Sequence, residues 1–469
     1  MHSPHPAEER ERLLLQPQDS PPPSPSMNPK DHSLQRLQSL TAPYRVYKQR
    51  WFGLLQLVLL NIVVSWDWLT FSAVSKTTSE YFEVSETAVN WLSTAFMFAF
   101  VTVSPLVIKF LHLGPKPAIV ASSVLLFTGN WVRYIGARSP MSRKFKVVMF
   151  GQILTGLAQP FVLAAPTRFS DLWFSEKGRI SATAVASLAN PFGGALAQLI
   201  GPMWATEPSD IPNLVLWVSL ISTVACLPSF FLSPHPPTPS SSSSSLPKTP
   251  ITQSLRILLH TPTFYFILLP FATYVASFNA FSSLLNQILY PYAYTESDAG
   301  ITGALLIAVG LVAAAISSPI LDRTKAYLLA IKLLVPIIAA SYLAFIWAPA
   351  TRSLATPFTI AAILGAASFS LMPVALEYLV EATWPASPEV GSTICWTGGQ
   401  LFGGLFIVIM NALKGAEGEP EGSMKRALVF QAVVCIAVVP APLVIGLWRF
   451  KVGRRRGRWE YEHGRESGA

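Results

Sequence analysis

Twelve long apolar stretches, divided six and six by a Pro/Ser-rich run from Ser233 to Pro250, constrain this chain more than anything else in it. A hydrocarbon core of about 30 Å takes about 20 apolar residues per helical span. The sequence therefore predicts an all-α polytopic membrane protein, with twelve transmembrane helices in two six-helix bundles. The expected spans cover about 51–74, 88–111, 117–137, 146–166, 180–204 and 213–232. The second set covers about 262–290, 299–321, 326–348, 354–379, 390–413 and 427–448. The chain then divides into a tail 1–44, a bundle 45–232, a linker 233–256, a second bundle 257–449 and a basic tail 450–469. Residues 1–44 are rich in Pro and Ser and too polar to pack, so that tail is expected to be disordered.

Charged residues make up only 13% of the chain, against about 25% in an ordinary soluble domain, which is too few to cover a solvent-facing surface. The net charge of +9 sits mostly in tails and in loops beside apolar spans, where it sets orientation and does not point to nucleic acid. Three cysteines, Cys226, Cys395 and Cys435, all lie in apolar segments without CxxC or His-rich company. No disulfide framework, metal site or cofactor is expected from them. No apolar run follows Met1 closely, so no cleavable signal is expected and the first span would serve for insertion.

Lys and Arg in short loops set the topology. They gather at Arg45, Lys48 and Arg50, at Arg168, Lys177 and Arg179, and at Lys248 and Arg256. Further clusters are Arg323 with Lys325, and Arg449, Lys451 and the RRRGR run. The opposite loops carry Glu80, Glu83, Glu86, Glu207, Asp210, Glu296 and Asp298. Both termini and the linker are thus expected in the cytosol. Arg138, Arg143, Lys144 and Lys146 fall on the wrong side for this rule, a single exception.

Polar residues inside the spans recur at helical spacing: Gln152, Gly156 and Gln159; Asn190, Gly194 and Gln198; Asn279, Ser282, Ser283 and Asn286; Trp396 and Gln400. Any one stripe reads most simply as interhelical packing. Four stripes spread over both halves point to a shared central cavity. In SWDWLTF, Trp66 and Trp68 point about 200° apart on a helix, so only one faces such a cavity. Asp67 between them costs about 2.5–3.5 kcal/mol at mid-membrane. It either serves the cavity or pairs with a donor such as Asn61 or Lys76. Glu377 and Glu381, one turn apart at the end of the tenth span, are expected to form a gate or an ion pair with Arg323 or Lys325.

The blocks DWLTFSAVSKTTSEYFEVSETAVNWLS, GQILTGLAQPFVLAAPTRFSDLWFS, SATAVASLANPFGG, AFSSLLNQI, DAGITGALLIAVG, LDRTKAY and ALEYLVEATWP occur in this order between about Arg50 and Trp448. Together they resemble the major facilitator transporters. More specifically, they are similar to the feline leukaemia virus subgroup C receptor-related family. That family includes choline and ethanolamine carriers once described as haem exporters, and a lysosomal relative disrupted in renal carcinoma. The resemblance implies a carrier of a small organic, cationic metabolite working by alternating access. It matches the family's QWIQY to Asp67–Phe71, placing Trp68 at the substrate site with Asp67 beside it. Its NQLG falls on Asn190-Pro191-Phe192-Gly193, so proline replaces the site glutamine. A cage tyrosine falls on Asn279, and SAQVFG falls on GGQLFG, which retains Gln400. With Trp396, one turn from Gln400 by helical spacing, the candidate substrate-binding set is Trp68, Gln400, Asn279, Asn190, Asp67 and Trp396. Asp322 and Arg323 of LDRTK carry the acid–basic pattern that locks neighbouring helices in the superfamily. The first-half counterpart keeps Gly114 and Lys116 but has Leu111 where the acid would stand.

The implied partners are a small-molecule substrate and the lipid bilayer, with the chain acting as a monomer. A haem or porphyrin carrier is the alternative within the class, disfavoured by the lack of an intramembrane His for axial ligation. A non-transporting receptor or sensor is the alternative outside it, disfavoured by the short tails. No nucleophile–base pair, GxGxxG or Walker pattern appears, so catalysis is not expected. The plasma membrane is the expected location. Glu9 with Leu13 and Leu14 forms an acidic dileucine pattern that makes a vacuolar or lysosomal membrane the alternative. Cysteines introduced singly at Ser3, Ser243 and Ser467 should all be shielded from an impermeant outside reagent in intact cells. Labelling at Ser243 would contradict the two-bundle topology.

Overall fold

The computed structural model describes residues 45–140, 143–238, 240, 249–383, 385–415 and 420–445. Among these residues there are helices and turns and no strand. The first half contains α1 (Gln49–Leu69), α2 (Glu86–Leu113), α3 (Pro115–Arg138), α4 (Lys144–Leu163), α5 (Glu176–Trp204) and α6 (Ile211–Cys226). The second contains α7 (Pro262–Leu289), α8 (Glu296–Thr324), α9 (Tyr327–Phe345), α10 (Ala355–Ala382), α11 (Pro388–Ala412) and α12 (Lys425–Ala437), which Pro440–Val444 continues. Eleven of these are long and apolar enough to cross a bilayer. The exception, α5, has 29 residues but is diluted by Pro191, Pro202, Asn190 and Gln198.

Three boundaries differ from the sequence expectation. The first span ends at Leu69, and a separate short helix, Ser75–Phe82, follows before a left-handed residue, Glu83, at φ 54°. The fourth breaks at Ala164, just past Pro160, and Ala165–Trp173 forms its own helix with Pro166 in its first turn. The linker's last residues are helical, in Ile251–Leu259, because the Pro250–Ile251 junction ends the polar run and begins an apolar one. The tails 1–44 and 450–469, with Glu9, Leu13 and Leu14, lie outside the described residues, as do linker residues 241–248 and the side chain of Asp322.

The packing repeats with an offset of six helices. α1 lies on α5, α3 on α4 and α6, and α2 on α4; correspondingly α7 lies on α11, α9 on α10 and α12, and α8 on α10. The two sets meet where α5 packs on α8 and α2 on α11. Lipid gives helices no hydrophobic reason to associate, so close backbone contact and polar pairing carry these interfaces. At the α5–α8 seam a Cβ on Gly300 would stand 2.2 Å from the Gln198 carbonyl oxygen. No other residue fits there without moving backbone. Gly114, at φ +139°, turns the chain from α2 into α3 within one residue.

Candidate functional site

Trp68 ends α1 facing the second half. Its ring centroid lies 6.5 Å from that of Phe278 on α7, and Phe278 meets Phe369 of α10 edge-on at 5.5 Å. Its buried indole N–H has no acceptor among the described residues. Trp66 points the other way, as the helical angle requires, and stacks on Trp204 at 5.9 Å. Beside Phe278, the Asn279 amide donates to Gln400 Oε1 of α11 at 3.2 Å. Gly403, one turn past Gln400, leaves room there for Asn279 and for the Met97 sulfur of α2. Trp68, Asn279 and Gln400, which sequence reasoning singled out, therefore sit at the seam between the halves. Met97, Phe278 and Phe369 join them; as ordinary apolar residues in apolar spans, they carried no signal.

Asn190 and Trp396 lie elsewhere. Asn190 donates to the Asn61 carbonyl at 3.4 Å and to its Oδ1 at 3.5 Å, so it ties α5 to α1 within the first half. Trp396 is turned edge-on to Phe271 at 5.5 Å in an apolar cluster that is built mainly from the second half and that Ile108 of α2 also packs against.

Asp67 is fully buried in the first half, and its partner is neither Asn61 nor Lys76. Arg133 of α3 forms an ion pair with it at 3.0 Å, and neither side chain has any exposure. Asn130 donates to Asp67 Oδ2 at 2.7 Å and to Ser222 Oγ of α6 at 3.1 Å. Gln152 of α4 donates to the Asp67 carbonyl at 3.1 Å. The Arg133 guanidinium also lies 5.0 Å from the centre of the Phe71 ring. These contacts join α1, α3, α4 and α6 around one acid. The sequence signal that would have identified the partner was Arg133 itself, a lone cation inside the third apolar span.

A second polar group joins the halves at the end of the molecule away from residue 49. The Glu296 carboxylate, at the start of α8, accepts from the Lys76 backbone N–H at 3.0 Å and from Thr77 Oγ1 at 2.6 Å. It thereby caps the short helix Ser75–Phe82 from the opposite half. Asn286 donates to the same carboxylate at 3.0 Å and accepts from Ser75 Oγ at 3.2 Å. The Lys76 ammonium bonds the Tyr290 hydroxyl, which raises its pKa and keeps it charged. Gln287 exchanges two hydrogen bonds with Asn90, which also reaches Asn411 at 3.0 Å. Glu86 pairs with Lys414, and Gln198 donates to the Ser282 carbonyl at 2.9 Å. At the other end, Arg323 and Glu377 are exposed and Glu381 is partly covered, on the neighbouring helices α8 and α10.

Residues 57–407 match the Major Facilitator Superfamily model. The chain belongs to that superfamily. Solute carrier family 49 member A3 of Danio rerio is 36% identical to it, over 79% of this chain and 80% of that protein. The choline/ethanolamine transporter FLVCR1 of Felis catus is 27% identical, over 84% and 73% respectively. The fold resembles a bacterial homolog of the human lysosomal transporter Spinster in an inward-facing, unoccupied conformation. That match has a TM-score of 0.63 at 16% identity and covers 85% of this chain and 97% of the other. This major facilitator is thus a polytopic membrane transporter and not an enzyme, as its sequence motifs implied.

Removing one member of a fully buried ion pair leaves the other charge uncompensated, at a cost of about 3–5 kcal/mol. Arg133→Gln should therefore lower the thermal stability of the purified protein sharply. The double variant Asp67→Asn with Arg133→Gln should recover most of the loss. A double variant as unstable as the single one would contradict the pairing.

Proposed function

We propose that this major facilitator carries a small organic amine, choline-like in its chemistry, by alternating access at the seam between its halves. The observation that carries this reading is the meeting of Trp68 and Phe278 from opposite halves beside the Asn279–Gln400 pair. Aromatic faces attract an alkylammonium through their quadrupoles, and amide groups hold a hydroxyl or amine by hydrogen bonds. Asn279 contributes an amide where a choline-type cage has a tyrosine ring, which favours a smaller or more polar amine over a bulky quaternary one. Asp67 supports the first bundle in this reading, since its charge is already balanced by Arg133. The named activity of the FLVCR1 relative agrees with an amine substrate. The chain would act as a monomer in the plasma membrane, with its termini in the cytosol.

Alternating access requires the halves to close at one end while the other admits solute. The hydrogen bonds around Glu296, Asn90 and Lys414 would form the closed outer end, giving an inward-facing state.

Trp68→Ala and Gln400→Ala should each impair uptake of choline or ethanolamine by proteoliposomes while leaving expression and melting temperature near wild type. Wild-type rates in both would place the site elsewhere. Glu296→Ala removes three hydrogen bonds worth roughly 1 kcal/mol each. A cysteine introduced as Ser282→Cys should then react with an impermeant outside reagent roughly tenfold faster or more. Unchanged labelling would mean that Glu296 does not hold the outer end shut.

A further inference from the structure

A cavity of about 30 Å³ lies in the second half beside Phe278, the ring that meets Trp68 across the seam. Val275 and Phe278 of α7, Ile338 of α9, and Ser368, Phe369 and Met372 of α10 line it. Phe278 and Phe369, which meet edge-on at 5.5 Å, therefore belong both to the candidate site and to this cavity. One water needs about 10–15 Å³ of such space, so the cavity has room for about two heavy atoms.

Ile338 is fully buried and forms the floor, while Leu329 and Leu333, on the far side of α9, are exposed. The floor is therefore the outer wall of the bundle. The half-buried residues Phe278, Ser368 and Met372 stand at the mouth, and Phe278 turns toward Trp68 of the first half. The cavity thus leads from the candidate site into the second half.

Its chemistry is apolar. No charged residue lines it. Of the two lining hydroxyls, that of Tyr274 donates to the Cys435 and Val335 carbonyls at 3.1 and 3.4 Å, which leaves only Ser368. An ammonium would lose its hydration between such walls and find no partner there. A saturated carbon chain gains free energy with each carbon it buries. Met372 is an unbranched side chain that can adapt its shape to a short chain beside it.

We propose that this cavity is an alkyl subsite: it takes one saturated substituent of about two carbons on the nitrogen of the transported amine, with the small Ser368 keeping its mouth open. The ammonium stays at the rings of Trp68 and Phe278, and the polar end of the substrate reaches Asn279 and Gln400. The inference rests on the amine reading above and narrows it to amines that carry one short alkyl arm.

Uptake by proteoliposomes holding the full chain, measured for ethanolamine, N-ethylethanolamine and N-butylethanolamine, tests it. The wild type should show a KM roughly tenfold lower for N-ethylethanolamine than for ethanolamine, the worth of two buried carbons. The butyl compound should lose that gain, because its further carbons exceed the space. Ser368→Ile and Met372→Phe, which fill the cavity from successive turns of α10, should each bring the ethyl and unsubstituted KM values together. Ser368→Ala should keep the preference. Ligand-induced shifts in melting temperature read the same preference in any variant that binds without transporting. Equal KM values for ethanolamine and N-ethylethanolamine in the wild type would overturn the subsite and leave the amine reading standing. So would an undiminished preference in both filled variants, or a still lower KM for the butyl compound. Uptake of none of the three amines would overturn the amine reading, and the subsite with it.

Discussion

A polar group in the bilayer has no water to fall back on, and this structure is arranged around meeting that demand from within. Asp67 and Arg133 balance each other's charge, although Arg133 Nε and Nη2 have no hydrogen-bond partner among the described residues. Each would be expensive alone, and together they draw Asn130, Gln152 and Ser222 into one group that fixes four helices of the first half. The orientation of Trp68 follows from this. With Asp67 directed into the bundle, the neighbouring indole is carried about 100° around the helix, toward the other half.

In the second half, neutral groups meet the same demand between α7 and α12. Tyr274 of α7 donates to the Cys435 carbonyl at 3.1 Å, and Gln431 of α12 donates to the Ser277 carbonyl at 2.7 Å. The two bundles share a helix arrangement but not an interior chemistry. An ion pair resists rearrangement because separating it leaves charge in a medium of low dielectric. Neutral hydrogen bonds exchange at lower cost. The seam groups Phe278, Asn279 and Gln400 all stand on the second half.

Much of the fold was legible because apolar length is a one-dimensional property. The spans, the Pro/Ser interruption and most helix ends follow from runs of residues and from prolines such as Pro166 and Pro262. Within a helix, spacing correctly placed Trp66 and Trp68 on opposite faces. The family pattern located Trp68, Asn279 and Gln400, which the fold brings to one seam. The same pattern also carried Asn190, and spacing added Trp396; Asn190 packs on α1 within the first half, and Trp396 lies in a separate apolar cluster around Phe271.

The sequence by itself determined that this chain crosses a bilayer as two sets of helices and which residues are costly there. Tertiary structure alone decided the partner of each costly residue. Helical periodicity gives the angle between side chains on one helix but not the rotation of that helix against its neighbours. Asp67 and Arg133 are 66 residues apart, and Lys76 and Glu296 are 220 apart. No local pattern links such pairs. The rotation that joins them is set by close backbone contacts, such as Gly300 against the Gln198 carbonyl, between helices far apart in the chain.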